Sequence, residues 1–213
     1  MKKQGSYTDL LKPRILRGLL SLSGKGYFVE KGWLNSYLKK EALDPAGNPI
    51  PWLTYSFLDF IAGRLSKDIT LFEYGAGNST LYFAKFIKSI KSIENNKDWY
   101  QKIKSRLPSN VDIAYVSLAN KAYENAILAE TINYDIVLVD GRQRVACVKN
   151  ALSKLSERGV IILDDAERAK YKEAFTVMKD AGFKELPFSG IAIGAIHHKC
   201  TTIFYRSQNC LGI

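Results

Sequence analysis

From residue 68 onward the chain alternates short apolar runs with amphipathic stretches, and few architectures can bury such an alternation. The runs predict strands at Ile69–Tyr74, Ser89–Glu94, Val111–Val116, Tyr134–Asp140 and Val160–Asp164. Helices are predicted between them over 79–88, 96–107, 121–131 and 142–157, and a further one over 167–181 ends at Gly182. Repeated strand–helix units require a parallel sheet covered on both faces, because right-handed crossovers place the helices there. The tail differs. Phe183–Phe188 and Cys200–Arg206 are joined by a loop with no room for a helix, so these strands should pair antiparallel at one edge. The expected fold class is α/β, a doubly wound sheet over residues 67–213.

Upstream, Leu11, Ile15, Leu19 and Leu22 predict a short amphipathic helix within 8–22, closed by Ser23-Gly24-Lys25-Gly26. Dense turn chemistry at 44–51 leads into Trp52–Leu65, where Leu53, Phe57, Phe60 and Ile61 form a second helical stripe. Residues 1–66 therefore read as an N-terminal helical extension.

Ligands of an open parallel sheet bind beyond the carboxyl ends of its strands. The first such turn is Phe72-Glu73-Tyr74-Gly75-Ala76-Gly77-Asn78-Ser79-Thr80. Gly75 and Gly77 allow a tight turn, and Asn78 and Ser79 suit the start of a helix. A dinucleotide fingerprint would need a third glycine, where this chain has Thr80. Glu73 precedes the turn, and a carboxylate facing the ligand there disfavours phosphate and favours a cation. Glu94, at the end of the second strand, is placed to accept ribose hydroxyls. An adenosine without phosphates and with a positive group fits this pair of acids, and S-adenosylmethionine is such a ligand.

The stretch 68–206 resembles the class I S-adenosylmethionine-dependent methyltransferases, whose first motif is an acid followed by GxGxS or GxGxT. The segments PWLTYSFLDF, FEYGAGNSTLYFAK, VDGRQRV and FYRSQNCLGI resemble a bacterial methyltransferase-like group met among polysaccharide-biosynthesis genes. The resemblance implies a Rossmann-like sheet of seven strands with the last one antiparallel, and S-adenosylmethionine as cofactor. Candidate cofactor contacts are Glu73, Tyr74, Gly75, Gly77, Asn78, Ser79, Glu94, Asn95 and Asp140. The group's second strand usually ends Glu-His-Asp, where this chain has Glu94-Asn95-Asn96.

Methyl transfer needs donor and acceptor held in line and a nucleophile relieved of its proton. Acids stand at the ends of the fourth and fifth strands: Asp140 in LVDGRQR, and Asp164-Asp165 in IILDDAER. Three readings of them stay open. They could chelate Mg²⁺ or another divalent cation, an arrangement that resembles the metal-dependent catechol and caffeoyl-coenzyme A O-methyltransferases. Asp140 could instead be a general base or hold the cofactor's ammonium. Both Asp140 and Asp165 could also be plain helix caps. Candidate catalytic residues are Asp140, Asp165, Arg142 and His198. Arg142 and Arg144 are solvated residues of a first helical turn or, being poorly matched to the helix dipole there, the binding groups for an anionic acceptor. His197 and His198 lie in the last loop, where one could act as acid or base. Trp52 and Tyr55 could cover the ligand or belong to the core.

The formal charge of +10 is uneven: residues 1–40 hold nine Lys or Arg against Asp9 and Glu30, a net +7. That segment could meet an anionic membrane surface, an acidic glycan or nucleic acid. Cys147, Cys200 and Cys210 form no CxxC pair, and Pro13, Arg14 and Arg17 interrupt any signal-like run, so a cytoplasmic, reduced protein is expected. It could also lie peripherally on the inner face of the membrane through residues 8–22. The leading expectation is O-methylation of a small-molecule or saccharide acceptor. A nucleic-acid methyltransferase is the alternative, weakened by the lack of an Asn-Pro-Pro-Tyr or Asp-Pro-Pro-Tyr tetrapeptide and of a Pro-Cys nucleophile. A non-catalytic cofactor-binding module is the third.

Overall fold

Seven strands form one sheet: β1 (Thr70–Tyr74), β2 (Ser89–Glu94), β3 (Val111–Tyr115), β4 (Tyr134–Val139), β5 (Leu155–Leu163), β6 (Lys184–Ile191) and β7 (His198–Tyr205). The structure is a computed structural model that describes residues 6–213. Strand order across the sheet is β3-β2-β1-β4-β5-β7-β6. β1 to β5 run parallel, and β7 is inserted antiparallel between β5 and β6. The chain winds outward from β1 to β3, returns to the centre and winds the other way through β4 and β5. Strand order thus reverses between β1 and β4, which opens a crevice beyond their carboxyl ends.

The helices are α1 (Pro13–Ser21), α2 (Tyr27–Glu30), α3 (Trp33–Lys39), α4 (Tyr55–Ile61), α5 (Asn78–Phe83), α6 (Lys97–Lys104), α7 (Ala122–Asn125), α8 (Arg144–Ala151) and α9 (Lys172–Asp180). Alternate side chains of β1 serve opposite faces of the sheet. Phe72 and Tyr74 pack with Val137, Val139, Cys147 and Met178 on one face, whereas Leu71 packs with Ile136, Leu138, Phe57 and Phe83 on the other.

Several boundaries differ from expectation for local reasons. Leu53, Phe57 and Ile61 are fully buried in the sheet's own core, and the Phe57 and Phe188 ring centroids lie 5.7 Å apart. The packed unit therefore begins before Leu53, and residues 1–66 are not one appended extension. Pro13 starts α1 and separates it from a 3-10 turn at Tyr7–Leu11, so the predicted 8–22 helix is two pieces. The predicted helix 121–131 breaks into short turns, with left-handed Asn120 and Lys121 at its start. The predicted helix 142–157 yields to β5 from Leu155, where residues 156–159 bulge out of register against β4 and Ser156 Oγ donates to Asp135 Oδ1 at 2.7 Å. The predicted helix 167–181 opens as a 3-10 turn, Ala169–Tyr171, before α9.

Glu73 holds the centre of the sheet to α5 and β2. By the alternation of β1 it points beneath the turn, where it is completely buried and accepts hydrogen bonds from the Ser79, Thr80 and Ser92 hydroxyls. It does not face a ligand, and the expected cofactor contact at Glu73 is corrected accordingly. Tyr74 is likewise withdrawn as a contact: it is fully buried on the opposite face, and its hydroxyl donates to the Glu124 carbonyl at 2.9 Å. Burial pushes the Glu73 carboxyl up to about 7, against the downward pull of its three hydroxyl partners.

Two measurements check this packing. Phe57→Ala should cost about 3–5 kcal/mol in urea unfolding, as deletion of a buried aromatic does, whereas Leu20→Ala on exposed α1 should stay within about 0.5 kcal/mol. Similar small losses for both would contradict the place given to α4. Because the folded Glu73 binds its proton more tightly than the unfolded chain does, its contribution to stability falls as pH rises from 4.5 through about 7. Glu73→Gln stays neutral, so it should gain on wild type by on the order of 3 kcal/mol between about pH 4.5 and pH 8. A pH-independent difference would contradict the buried carboxyl.

Candidate active site

The crevice depends on two turns that pass in contact. Gly75 follows β1 with φ of +96°, and a Cβ there would meet Gly141 Cα at 2.9 Å and the Asp140 carbonyl carbon at 3.1 Å. A Cβ on Gly141 would strike the Tyr123 hydroxyl at 1.9 Å. The backbones interlock instead: Asp140 N–H donates to the Tyr74 carbonyl at 3.0 Å, and Gly75 N–H to that of Ile93 at 2.9 Å. Neither position has room for a side chain. Beyond the turn, Gly77 N–H donates to Thr80 Oγ1 at 2.9 Å, and the Trp99 indole N–H donates to the Ala76 carbonyl at 2.7 Å. Trp99 is thereby fixed beside Gly77, where an added Cβ would still find 3.9 Å.

Over these turns opens a cavity of about 660 Å³, within the usual range for small-ligand sites. Gly75, Gly77, Asn78, Ser79, Glu94, Asn95 and Asp140 all line it, so these sequence-predicted contacts come together. Glu94 is buried, and its Oε1 accepts the backbone N–H groups of Asn95 at 2.8 Å and Asn96 at 2.6 Å. Burial raises its pKa, while those two N–H groups and nearby Arg142 oppose the rise. The Asn78 side-chain amide donates to the Ala42 carbonyl at 2.8 Å, which leaves its Oδ1 buried with no hydrogen-bond partner. A buried acceptor left in this way on a cavity wall fits a donor from a ligand.

At the ends of β4 and β5 the three acids meet cations. Arg144 is buried and lies 2.8 Å from Asp140 Oδ1, 3.1 Å from Asp165 Oδ2 and 3.8 Å from Asp164 Oδ2. Lys199 lies 3.1 Å from Asp164 Oδ2 and 2.6 Å from Asp165 Oδ1, Arg168 lies 2.7 Å from Asp165 Oδ2, and Thr201 Oγ1 donates to Asp164 Oδ1 at 2.9 Å. Burial, and then the Asp164 charge, push the Asp140 pKa well above the ordinary carboxylate range despite Arg144. At Asp165 burial pushes the same way, but Lys199, Arg144 and Arg168 together outweigh it and hold the group low.

This geometry corrects the metal expectation. Asp140, Asp164 and Asp165 do not suit Mg²⁺, because fixed side-chain cations already neutralise them. Among the described residues no group of three or more His, Cys, Asp or Glu is placed to hold a metal ion. Arg144 is not solvated but sits inside the cluster. His198 opens β7 opposite Ile191, exposed and outside the cavity lining, so its expected catalytic place is not supported. Asp165 and Arg142 do reach the wall.

Sequence reasoning missed Lys199, Arg168, Trp99 and the Lys39–Ala42 stretch, which closes one side of the cavity. For Lys199 a signal existed: Lys199 and Thr201 alternate along a strand and so share one face with Asp164. Four lining cations, Lys39, Lys40, Lys102 and Arg142, have no ion-pair partner among the described residues, although Lys102 rests 5.2 Å from the Trp99 ring centre.

No protein-family model matches the chain, and no curated protein matches it. Solved structures do. A precorrin 8w decarboxylase from Methanobacterium thermoautotrophicum is 17% identical, with a TM-score of 0.56, over 79% of this chain and 97% of the other. A precorrin-6y C5,15-methyltransferase from Geobacter metallireducens is 14% identical, with a TM-score of 0.55, over 71% and 88%. An rRNA methylase from Streptococcus thermophilus is 14% identical, with a TM-score of 0.52, over 70% and 92%. The chain has the Rossmann-like fold of the class I methyltransferases.

Proposed function

We propose that the protein is an S-adenosylmethionine-dependent O-methyltransferase whose acceptor is a small molecule or saccharide carrying an anionic group. The observation that carries this reading is the fixed Glu94 carboxylate on the wall of the crevice. Two backbone N–H groups immobilise it at the end of β2, where it can accept both hydroxyls of a ribose. Asn78 Oδ1, otherwise unpartnered, suits an ammonium donor. Since Glu73 points away and Glu94 would serve the ribose of either ligand, the preference over a dinucleotide rests on Asn78 and the missing third glycine. When bound, the cofactor supplies an electrophilic methyl group.

The chain's own residues would do the rest. Asp140 lines the cavity, and its raised pKa makes it a stronger base than an ordinary carboxylate. It would take the proton of the acceptor hydroxyl and so ready that oxygen as the nucleophile. Arg144 holds Asp140 Oδ1 and fixes the carboxylate's direction. The four unpaired cations exceed what one cofactor carboxylate can use, and Arg142 stands two residues past Asp140. An acceptor bearing a carboxylate or phosphate accounts for them.

Calorimetry with S-adenosylhomocysteine should show binding that Glu94→Ala weakens at least about tenfold, roughly 1.4 kcal/mol. An absence of heat with the wild-type protein would contradict the proposal. With the protein saturated in S-adenosylhomocysteine, glucuronate and glucose 6-phosphate should quench tryptophan fluorescence, and glucose should not. Arg142→Gln should weaken the charged sugars by about tenfold or more. Equal responses to charged and neutral sugars would contradict the anionic acceptor.

A further inference from the structure

Outside the crevice, α1 buries none of its residues. Ile15, Leu16, Leu19 and Leu20 project from one arc of this nine-residue helix, and they are 39%, 46%, 46% and 65% exposed. At 100° per residue they span less than half the circumference, and Arg14, Arg17, Gly18 and Ser21 occupy the opposite side. Leu11, on the preceding turn, is 80% exposed as well. Exposed apolar side chains grouped so closely mark a surface that meets something other than water.

Charge selects the partner. Lys12, Arg14, Arg17 and Lys25 flank the apolar arc, and Asp9, the sole acid in residues 6–26, is paired with Lys12 at 2.6 Å. A second copy of the chain would bring the same net positive segment face to face, which opposes self-association. A nucleic acid would satisfy the basic side but leave the leucines in water. An anionic bilayer surface satisfies both: leucines enter the acyl boundary while the arginines reach the headgroups. Among the described residues no helix is long and apolar enough to cross a membrane, so the contact lies in the interface plane. We propose that α1 is an interfacial anchor that docks the protein, apolar face inward, on a bilayer rich in anionic lipid. A helix of this length is marginal in water, so the surface would also complete its folding.

The test is co-sedimentation of the full chain with vesicles of phosphatidylglycerol and phosphatidylcholine, compared with phosphatidylcholine alone. Binding should be about tenfold stronger to the anionic vesicles and should fall as salt rises. Leu16→Glu/Leu19→Glu and Arg14→Glu/Arg17→Glu, both on the exposed helix, should each lower it by about tenfold or more. Circular dichroism of each variant checks that the sheet domain is unchanged. Failure of the wild-type chain to pellet, or equal pelleting of the leucine variant, would overturn the proposal. So would a dimer in sedimentation velocity that the leucine substitutions dissociate while vesicle binding is absent. None of these outcomes bears on cofactor binding in the crevice, so the two readings fail separately.

Discussion

The contact between the turns after β1 and β4 sets everything around it. Gly75 and Gly141 allow the two backbones to touch, with no space for a methyl group on either. That contact keeps the ends of β1 and β4 close while α5 departs to one side and α8 to the other. The crevice is therefore a consequence of strand order together with two missing side chains. Its walls inherit positions from the strand ends: Glu94 from β2, Asp140 from β4 and Asp165 from β5.

Beneath and beside the crevice, carboxylates are handled in three ways. Glu73 is surrounded by hydroxyls and becomes part of the scaffold. Glu94 is held by backbone N–H groups and keeps a place on the wall. Asp140, Asp164 and Asp165 share the charge of Arg144 and Lys199, which offsets the cost of gathering three acids where water is scarce. Burial and the neighbouring Asp164 charge raise the Asp140 pKa beyond what Arg144 offsets, whereas Lys199, Arg144 and Arg168 outweigh burial at Asp165 and hold it low. On the proposed function, Asp140 is the member of this cluster that acts as the base.

Much of this was legible in the chain itself. Alternating apolar runs specified a parallel sheet, and the missing helix after Phe188 specified the terminal hairpin. Gly75, Gly77, Asn78, Ser79 and Glu94 reached the cavity because strand ends and turn glycines have fixed places in such a sheet. The facing of Glu73 was misjudged, since a turn motif does not reveal the parity of the strand before it, and β1 is buried on both faces, so alternation alone does not reveal it either. Arg144 stands only four residues from Asp140, but its pairing with Asp165, and that of Lys199 with Asp164 and Asp165, joins α8 and β7 to the end of β5 across long stretches of sequence. The boundaries at 155 and 172 were lost to a bulge and a 3-10 turn, which local periodicity does not encode.

The central claim is that the crevice takes a nucleoside through the Glu94 carboxylate. A crystal structure of the protein with S-adenosylhomocysteine tests it most directly. The account predicts both ribose hydroxyls within hydrogen-bond distance of Glu94 and the amino group against Asn78 Oδ1. A nucleoside bound elsewhere, or a crevice in which Glu94 contacts no part of the ligand, would contradict it.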